Sequence, residues 1–389
     1  MAVTAIICEY NPFHMGHKYQ IDTIKKNKPD TNVISIMSPD FVQRGRPAVF
    51  DKYVRGECAV RCGADLAVAM PQVFALLSAE GFAEGGVRTA KLLGADSLAF
   101  GVEDNEADKL TKIAEILISR DFEEVLKKEL TLSPQLPFPT IRQRVLKTFA
   151  GEDADLISTP NNILAVEYIK ACLRYCPDIK LIPVKRVGNG YSDTSESGSY
   201  LSATAIRTII TENRPWTGHV PTETLPTVKT AVKTDYEKYD AFLFSALSVG
   251  DHDEILSASG NKELADTILS AIRSSGDYPS FRSKLSRKKF AETKIDRALI
   301  SFLLGIKCDE YMHSIPKYVT LLAMNSSGRE IIRNSRISVI SKFGDAKKLF
   351  SKQIETELLA DRIWARCCEK PCGESYFVNK KPYVAEEIK

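Results

Sequence analysis

The chain has 389 residues, 44% of them hydrophobic and 26% charged, which fits a globular protein of two or three domains and excludes a disordered or fibrous one. No run of about 18 apolar residues occurs and an apolar strand starts at the amino terminus, so neither a membrane span nor a signal peptide is expected. The formal net charge is only +3, and nine cysteines without a spaced framework point to a reducing cytoplasm.

Residues 3–8 form an apolar run short enough for a buried strand, and Asn11-Pro12-Phe13 breaks it. Ile21 and Ile24 continue from His17 at helical spacing. His14-Met15-Gly16-His17 therefore sits where a first strand passes into the amino end of a first helix, a place where backbone N–H groups and the helix dipole can hold phosphate. Two histidines three apart at a helix start point the same way, and Gly16 lets a nucleotide approach the backbone closely. Imidazoles with a pKa near neutrality can donate to phosphate oxygens as charge builds. His-x-x-His can also ligate zinc, but no further His and no nearby Cys-x-x-Cys supplies the other ligands. Two surface histidines at a helix cap remain the plain alternative.

A second apolar run spans 33–37. The polar, Gly- and Pro-broken stretch 37–48 follows; a long loop of this kind at a ligand edge is usually functional. Arg44 and Arg46 in it could face a nucleotide, an acyl substrate or RNA, or simply cap the neighbouring helix. Val54, Cys58 and Cys62 share one helical face and read as core. That helix stops at Gly63-Ala64-Asp65 and feeds an apolar run at 66–70; the pattern recurs at Gly94-Ala95-Asp96 and 97–101. Such repetition predicts a parallel sheet, with its ligand beyond the carboxyl ends of the strands. Residues 105–132 read as one or two amphipathic helices. Ser158-Thr159-Pro160-Asn161-Asn162 opens another helix with Asn side chains free for capping or ligand contact. Cys172 and Cys176 again look structural. Residues 179–186 are the last strand expected, before a Gly/Ser-rich loop from 188 to 200. Ser202 is a natural N-cap for the helix that follows, with Thr204 and Arg207 at its positively polarised first turn.

Pro215, Pro221 and Pro226 mark a boundary, beyond which helical periodicity dominates. The expected organisation is an α/β, Rossmann-like parallel-sheet unit at 1–212, a linker at 213–228 and a mainly α-helical unit at 229–389. Charge divides the same way. Residues 1–212 hold 25 Lys/Arg against 27 Asp/Glu, whereas 273–348 hold 16 against 7. That excess suggests a polyanion partner, with Arg273, Arg287, Lys288, Lys289, Lys294 and Arg297 as candidate RNA contacts; a solvated basic surface is the alternative. Phe290 and Tyr278 could stack on bases or belong to the core. Cys367, Cys368 and Cys372 lack the second pair that a zinc site needs.

His14-Met15-Gly16-His17 resembles the His-x-Gly-His signature of the nucleotidyltransferase superfamily, and Ser202-Ala203-Thr204-Ala205-Ile206-Arg207 resembles its second, downstream signature. More closely, Glu9 to His17, the Phe-x-Gln-Arg-Gly-x-Pro-Ala element at 41–48, Pro160-Asn161-Asn162-Ile163-Leu164 and the Ser202 element together are similar to the bacterial tRNA(Met) cytidine acetate ligase family. Family members usually carry Gly and a small or polar residue at Pro39-Asp40, and Glu at Arg46. The resemblance implies acetate activation by ATP and acetyl transfer to the wobble cytidine of elongator methionine tRNA, with Mg²⁺ expected to assist. It also implies catalytic roles for His14 and His17, and ATP contacts from Ile7, Glu9, Tyr10, Asn11, Phe13, Gly16, Gly101, Asn161, Asn162, Arg186 and Val187. Ser202, Thr204 and Arg207 would close on the triphosphate. The competing readings are a small-molecule adenylyltransferase and a non-catalytic RNA-binding protein on the same fold.

Overall fold

The computed structural model describes residues 1–103, 106–186, 200–286, 290–346, 348–373 and 375–386. Val187, most of the loop from 188 to 200, and Arg287, Lys288 and Lys289 lie outside the described residues. Among those described, eight strands form one sheet: β1 (Ala2–Cys8), β2 (Thr31–Met37), β3 (Leu66–Ala69), β4 (Ser97–Val102), β5 (Lys180–Lys185), β6 (Tyr318–Met324), β7 (Ser338–Ile340) and β8 (Tyr383–Val384). Their order is β5-β4-β1-β2-β3-β6-β7, with β8 also paired to β6. Strands β1 to β5 pair in parallel, with Ala5 opposite Ile34 on one side and Leu98 on the other. Strands β1 to β4 are nearly continuous apolar runs because helices cover both faces, while β5 lies at the edge and buries only Val184. The order turns back at β1: β2 and β3 lie to one side, β4 and β5 to the other. That reversal opens a crevice at the carboxyl ends of β1 and β4.

The expected strands and the helices flanking them are present, and the amphipathic stretch after residue 105 divides into Ala107–Ile118 and Arg120–Leu132. One expectation needs correction: residues 179–186 do not hold the last strand. Tyr318–Met324 is buried but for the half-buried Met324 and pairs antiparallel with β3, Leu66 opposite Met324. Seven apolar or β-branched residues among helices satisfy strand and helix periodicity equally over so short a window. Partners more than 200 residues away decide the outcome. The carboxyl part, which also contributes the helices Tyr236–Val249, Lys262–Arg273, Glu292–Leu304 and Ser351–Arg366, thus closes the edge of the amino-terminal sheet.

Two buried cations of the helix Lys52–Arg61 hold the crevice in shape. Arg55 donates to the carbonyls of Glu9, Ser38, Pro39 and Phe50, tying the loops after β1 and β2 together. Lys52 pairs with Asp40 at 2.8 Å and with Asp361 of the helix Ser351–Arg366. The unusual Asp40 is thereby accounted for as an internal counter-ion. Cys58, Cys62, Cys172, Cys176, Cys367 and Cys368 are buried. No helix among the described residues is long and apolar enough to cross a membrane.

Candidate functional site

At the crevice lies a cavity of about 470 Å³. Its floor is the end of β1, β4 and β5, through Ile7, Cys8, Glu9, Gly101 and Arg186. The first helix, Met15–Asn27, starts at its rim with His14 as N-cap.

The two histidines cap that helix reciprocally. Gly16 N–H donates to His14 Nδ1 at 3.0 Å, and His14 N–H donates to His17 Nδ1 at 3.2 Å. An Nδ1 that accepts a hydrogen bond carries no proton, so in the neutral ring the proton sits on Nε2. The rings stack at 3.7 Å between centroids, and both line the cavity. A Cβ on Gly16 would stand 2.9 Å from His14 Cε1, so glycine is required here by the imidazole itself. Burial, then Arg186 and Arg207, pushes the His14 pKa down to about 3; burial, then His14 and Arg186, holds His17 well below its ordinary value. The pair therefore offers neutral N–H donors at pH 7, where the sequence suggested rings near their titration point. Positive charge comes instead from Arg186 and Arg207.

This has a measurable consequence. An unfolded histidine takes a proton near pH 6.5, while folded His14 resists until about 3, so acid favours the unfolded chain. Stability from this source is complete at neutral pH and falls as the pH drops below 6.5, by about 2 kcal/mol at pH 5. Urea midpoints at pH 7.5 and 5 should lie closer together in His14→Asn, which keeps an N-cap but does not titrate, than in wild type. An equal acid loss in the variant would exclude His14 as its source.

The second signature docks directly on the first. Ser202 caps the helix Ala203–Thr211 by accepting from Ala205 N–H at 3.1 Å. Arg207 reaches back to donate to the Asn11 carbonyl at 2.6 Å and to Thr204 Oγ1 at 3.0 Å. Ala203 and Arg207 line the cavity; Ser202 and Thr204 do not, and serve to fix the helix start and the guanidinium.

The remaining expected residues separate by role. Glu9, Tyr10, Asn11, Gly101, Asn161 and Arg186 line the cavity. Asn161 bridges Glu103 and Arg186, the latter at 3.3 Å. Asn162 is buried away from the cavity, accepting from Glu103 N–H at 3.2 Å and donating to the Leu156 carbonyl at 2.9 Å. It locks the end of β4 to the helix Pro160–Tyr175. Phe13 is also buried outside the lining, packed edge-on against Tyr10 at 4.8 Å. Glu9 Oε1 accepts from Gln43 N–H at 3.0 Å, hanging the loop of 37–48 on the first signature. Burial raises the Glu9 pKa despite Arg207 and Arg44 nearby.

That loop sends its two arginines to opposite sides. Arg44 lines the cavity. Arg46 points away from it: it pairs with Asp240 at 2.6 Å, donates to Tyr278 Oη at 3.0 Å and lies 5.0 Å from the Tyr239 ring centre. It is a clamp on the carboxyl helices, and Tyr278 belongs to that clamp. Gly45, at φ +85°, allows the contact, since a Cβ there would meet the backbone of Asp296 and Arg297 at 2.5 Å. Of the basic candidates, Arg273 and Lys294 are exposed. Arg297 lines the cavity instead, together with Thr293 one turn before it. The charge count could not find this, because it records sign and not direction.

Comparison with known proteins agrees with this geometry. The HIGH Nucleotidyl Transferase family pattern matches residues 1–376. A tRNA(Met) cytidine acetate ligase of Thermosipho melanesiensis is 31% identical over 100% of both chains, and one of Clostridium perfringens is 32% identical over 94% of this chain and 95% of its own. The crystal structure of Thermotoga maritima TmcAL in its apo form I aligns with a TM-score of 0.90 at 28% identity, covering 99% of each chain. A second form, bound with alpha-thio ATP, gives 0.88 at 27% identity over the same share. The reciprocal histidine cap, the docked Ser202 helix and these likenesses over the whole length lead to one assignment: the chain belongs to the tRNA(Met) cytidine acetate ligase family of HIGH nucleotidyl transferases.

Proposed function

We propose that the protein is an ATP-dependent ligase that activates acetate as acetyl-adenylate and transfers the acetyl group to N4 of the wobble cytidine of elongator methionine tRNA. The observation that carries the reading is the meeting of both signatures at one cavity through Arg207, Asn11 and Thr204. Family membership and the ATP analogue in the Thermotoga relative support it.

Acetate is a poor acyl donor because its leaving group would be oxide. In the first step a carboxylate oxygen attacks the α-phosphorus of ATP and pyrophosphate departs with the bonding pair. Charge grows on the phosphate oxygens, so donors already aimed at them lower the barrier without reorganisation. His14 and His17 are assigned that role through their Nε2–H groups, with Arg186 and Arg207 supplying the positive field. Gly101 and Asn161 would wall the nucleotide. In the second step the cytosine amine attacks the mixed anhydride and AMP leaves. The amine is conjugated with its ring and weakly nucleophilic, and the base must leave its stack to reach the cavity.

Among the described residues no three His, Cys, Asp or Glu gather to hold a metal. Mg²⁺ bound with ATP would add charge neutralisation at the triphosphate, beside the field of Arg186 and Arg207. The basic excess after residue 273, with Arg273 and Lys294 exposed, would hold the tRNA body by phosphate contacts and make binding strongly salt-dependent. Both proposed substrates belong to the cytoplasm, and so would the enzyme.

Incubating methionine tRNA with the protein, ATP and labelled acetate should place label on a single cytidine, with AMP and pyrophosphate released in equal amounts. Nucleoside mass spectrometry reads the first and chromatography the second. Release of pyrophosphate with no label on RNA would point to a small-molecule adenylyltransferase and overturn the reading.

A further inference from the structure

The cations of the cavity are not equivalent. Arg186 is engaged with Asn161, and Arg207 with Asn11 and Thr204. Arg297 lines the same cavity from the helix Glu292–Leu304, with no hydrogen-bonding or ion-pair partner among the described residues. Cys308, Asp309 and Asp296 attract it without contact, and Asp296 is taken by Arg282 at 2.9 Å. Half-buried charge without a partner is costly, so a guanidinium held this way is complete only when an anion joins it.

Its position is fixed, not accidental. The backbone of Asp296 and Arg297 packs against Gly45, whose left-handed conformation lets the 37–48 loop approach. Gln43 in that loop donates to the Leu77 carbonyl at 3.3 Å, and Gln43, Arg44, Ala79, Thr293 and Arg297 line the same cavity as the two histidines.

The adenylation step must hold two anions at once. The triphosphate already has His14, His17, Arg186 and Arg207 on its own side. The other anion is the carboxylate, and the planar fork of arginine matches a carboxylate with two parallel hydrogen bonds. We infer that Arg297 binds the carboxylate of the acid substrate and presents it to the α-phosphate, an assignment that rests on the acetate-ligase reading above. One carboxylate oxygen bonds to phosphorus, the bond from phosphorus to the β-phosphate oxygen breaks, and pyrophosphate takes the electron pair. No proton moves, and Arg297 stays protonated throughout. A residue from the tRNA-holding part thus belongs to the tRNA-independent half-reaction.

The test uses the full-length protein in acetate-dependent ATP–pyrophosphate exchange without tRNA. Arg297→Met should raise the KM for acetate at least about tenfold. Its Kd for ATP, measured by calorimetry without acetate, should stay within about twofold of wild type, which also shows that the variant folds. Arg297→Lys should recover part of the loss by keeping the charge. An unchanged acetate KM with lost acetylation of tRNA would overturn the assignment in favour of an RNA phosphate contact. A parallel rise in the ATP Kd would overturn it in favour of a triphosphate contact. Wild type that binds ATP yet shows no acetate-dependent exchange would sink the ligase reading itself, before any variant is compared, and this assignment with it.

Discussion

Replacing His14 by Ala should lower acetate-dependent ATP–pyrophosphate exchange by about 100- to 1000-fold, the range seen when one preorganised donor to a developing oxyanion is removed. The loss should fall on kcat far more than on the KM for ATP, because an Nε2–H aimed at the reacting phosphate matters most when charge has built there. The variant also loses the acceptor for Gly16 N–H, a cap contribution of about 1 kcal/mol. His14→Asn separates the two effects: it restores the cap and should leave exchange nearly as low as in the alanine variant. Exchange at the wild-type rate in either variant would remove His14 from the chemistry. His17→Ala should behave like His14→Ala, and the double variant should lose much less than the product of the two, since the rings stack on each other at 3.7 Å.

The largest effect on stability is expected at Lys52. Its ammonium is buried between Asp40 and Asp361, and burial raises the Asp361 pKa well above the carboxylate range while Lys52 and Arg55 hold Asp40 low. Lys52→Met leaves the carboxylates facing each other without a cation, at a cost of about 3–5 kcal/mol. Adding Asp361→Leu removes one stranded group and should return a large part of that loss, read as the urea midpoint at pH 7.5. A double variant no more stable than Lys52→Met would mean that the triad does not act as a unit.

The parts of this molecule that announced themselves in the sequence are those whose partners lie close in the chain. His14 to His17 and Ser202 to Arg207 are each one helix start, and spacing alone exposes them. The parallel strands before residue 186 were equally plain, because each is an apolar run bounded by Gly or Pro. What stayed hidden depends on distant neighbours. Tyr318–Met324 becomes a strand only because β3 offers an open edge. Arg44 and Arg46 look alike in the chain, and a left-handed Gly45 between them turns one into the cavity and the other towards Asp240. Asn161 and Asn162 are adjacent on a helix start, and neighbouring helical positions face different ways. The tautomer of the histidines was likewise invisible, since it is set by which backbone N–H each ring accepts.

The pairing of β6 with β3 bears on how such an enzyme can be taken apart. A strand edge that is bare in the amino-terminal portion is a template for aggregation, and here the far end of the polypeptide is the cover. The carboxyl-terminal portion is thus also a structural lid of the sheet, so neither portion is a transplantable module. Any chimera that exchanges tRNA preference between relatives would have to leave β6, β7 and β8 with the catalytic sheet and swap only the intervening helices.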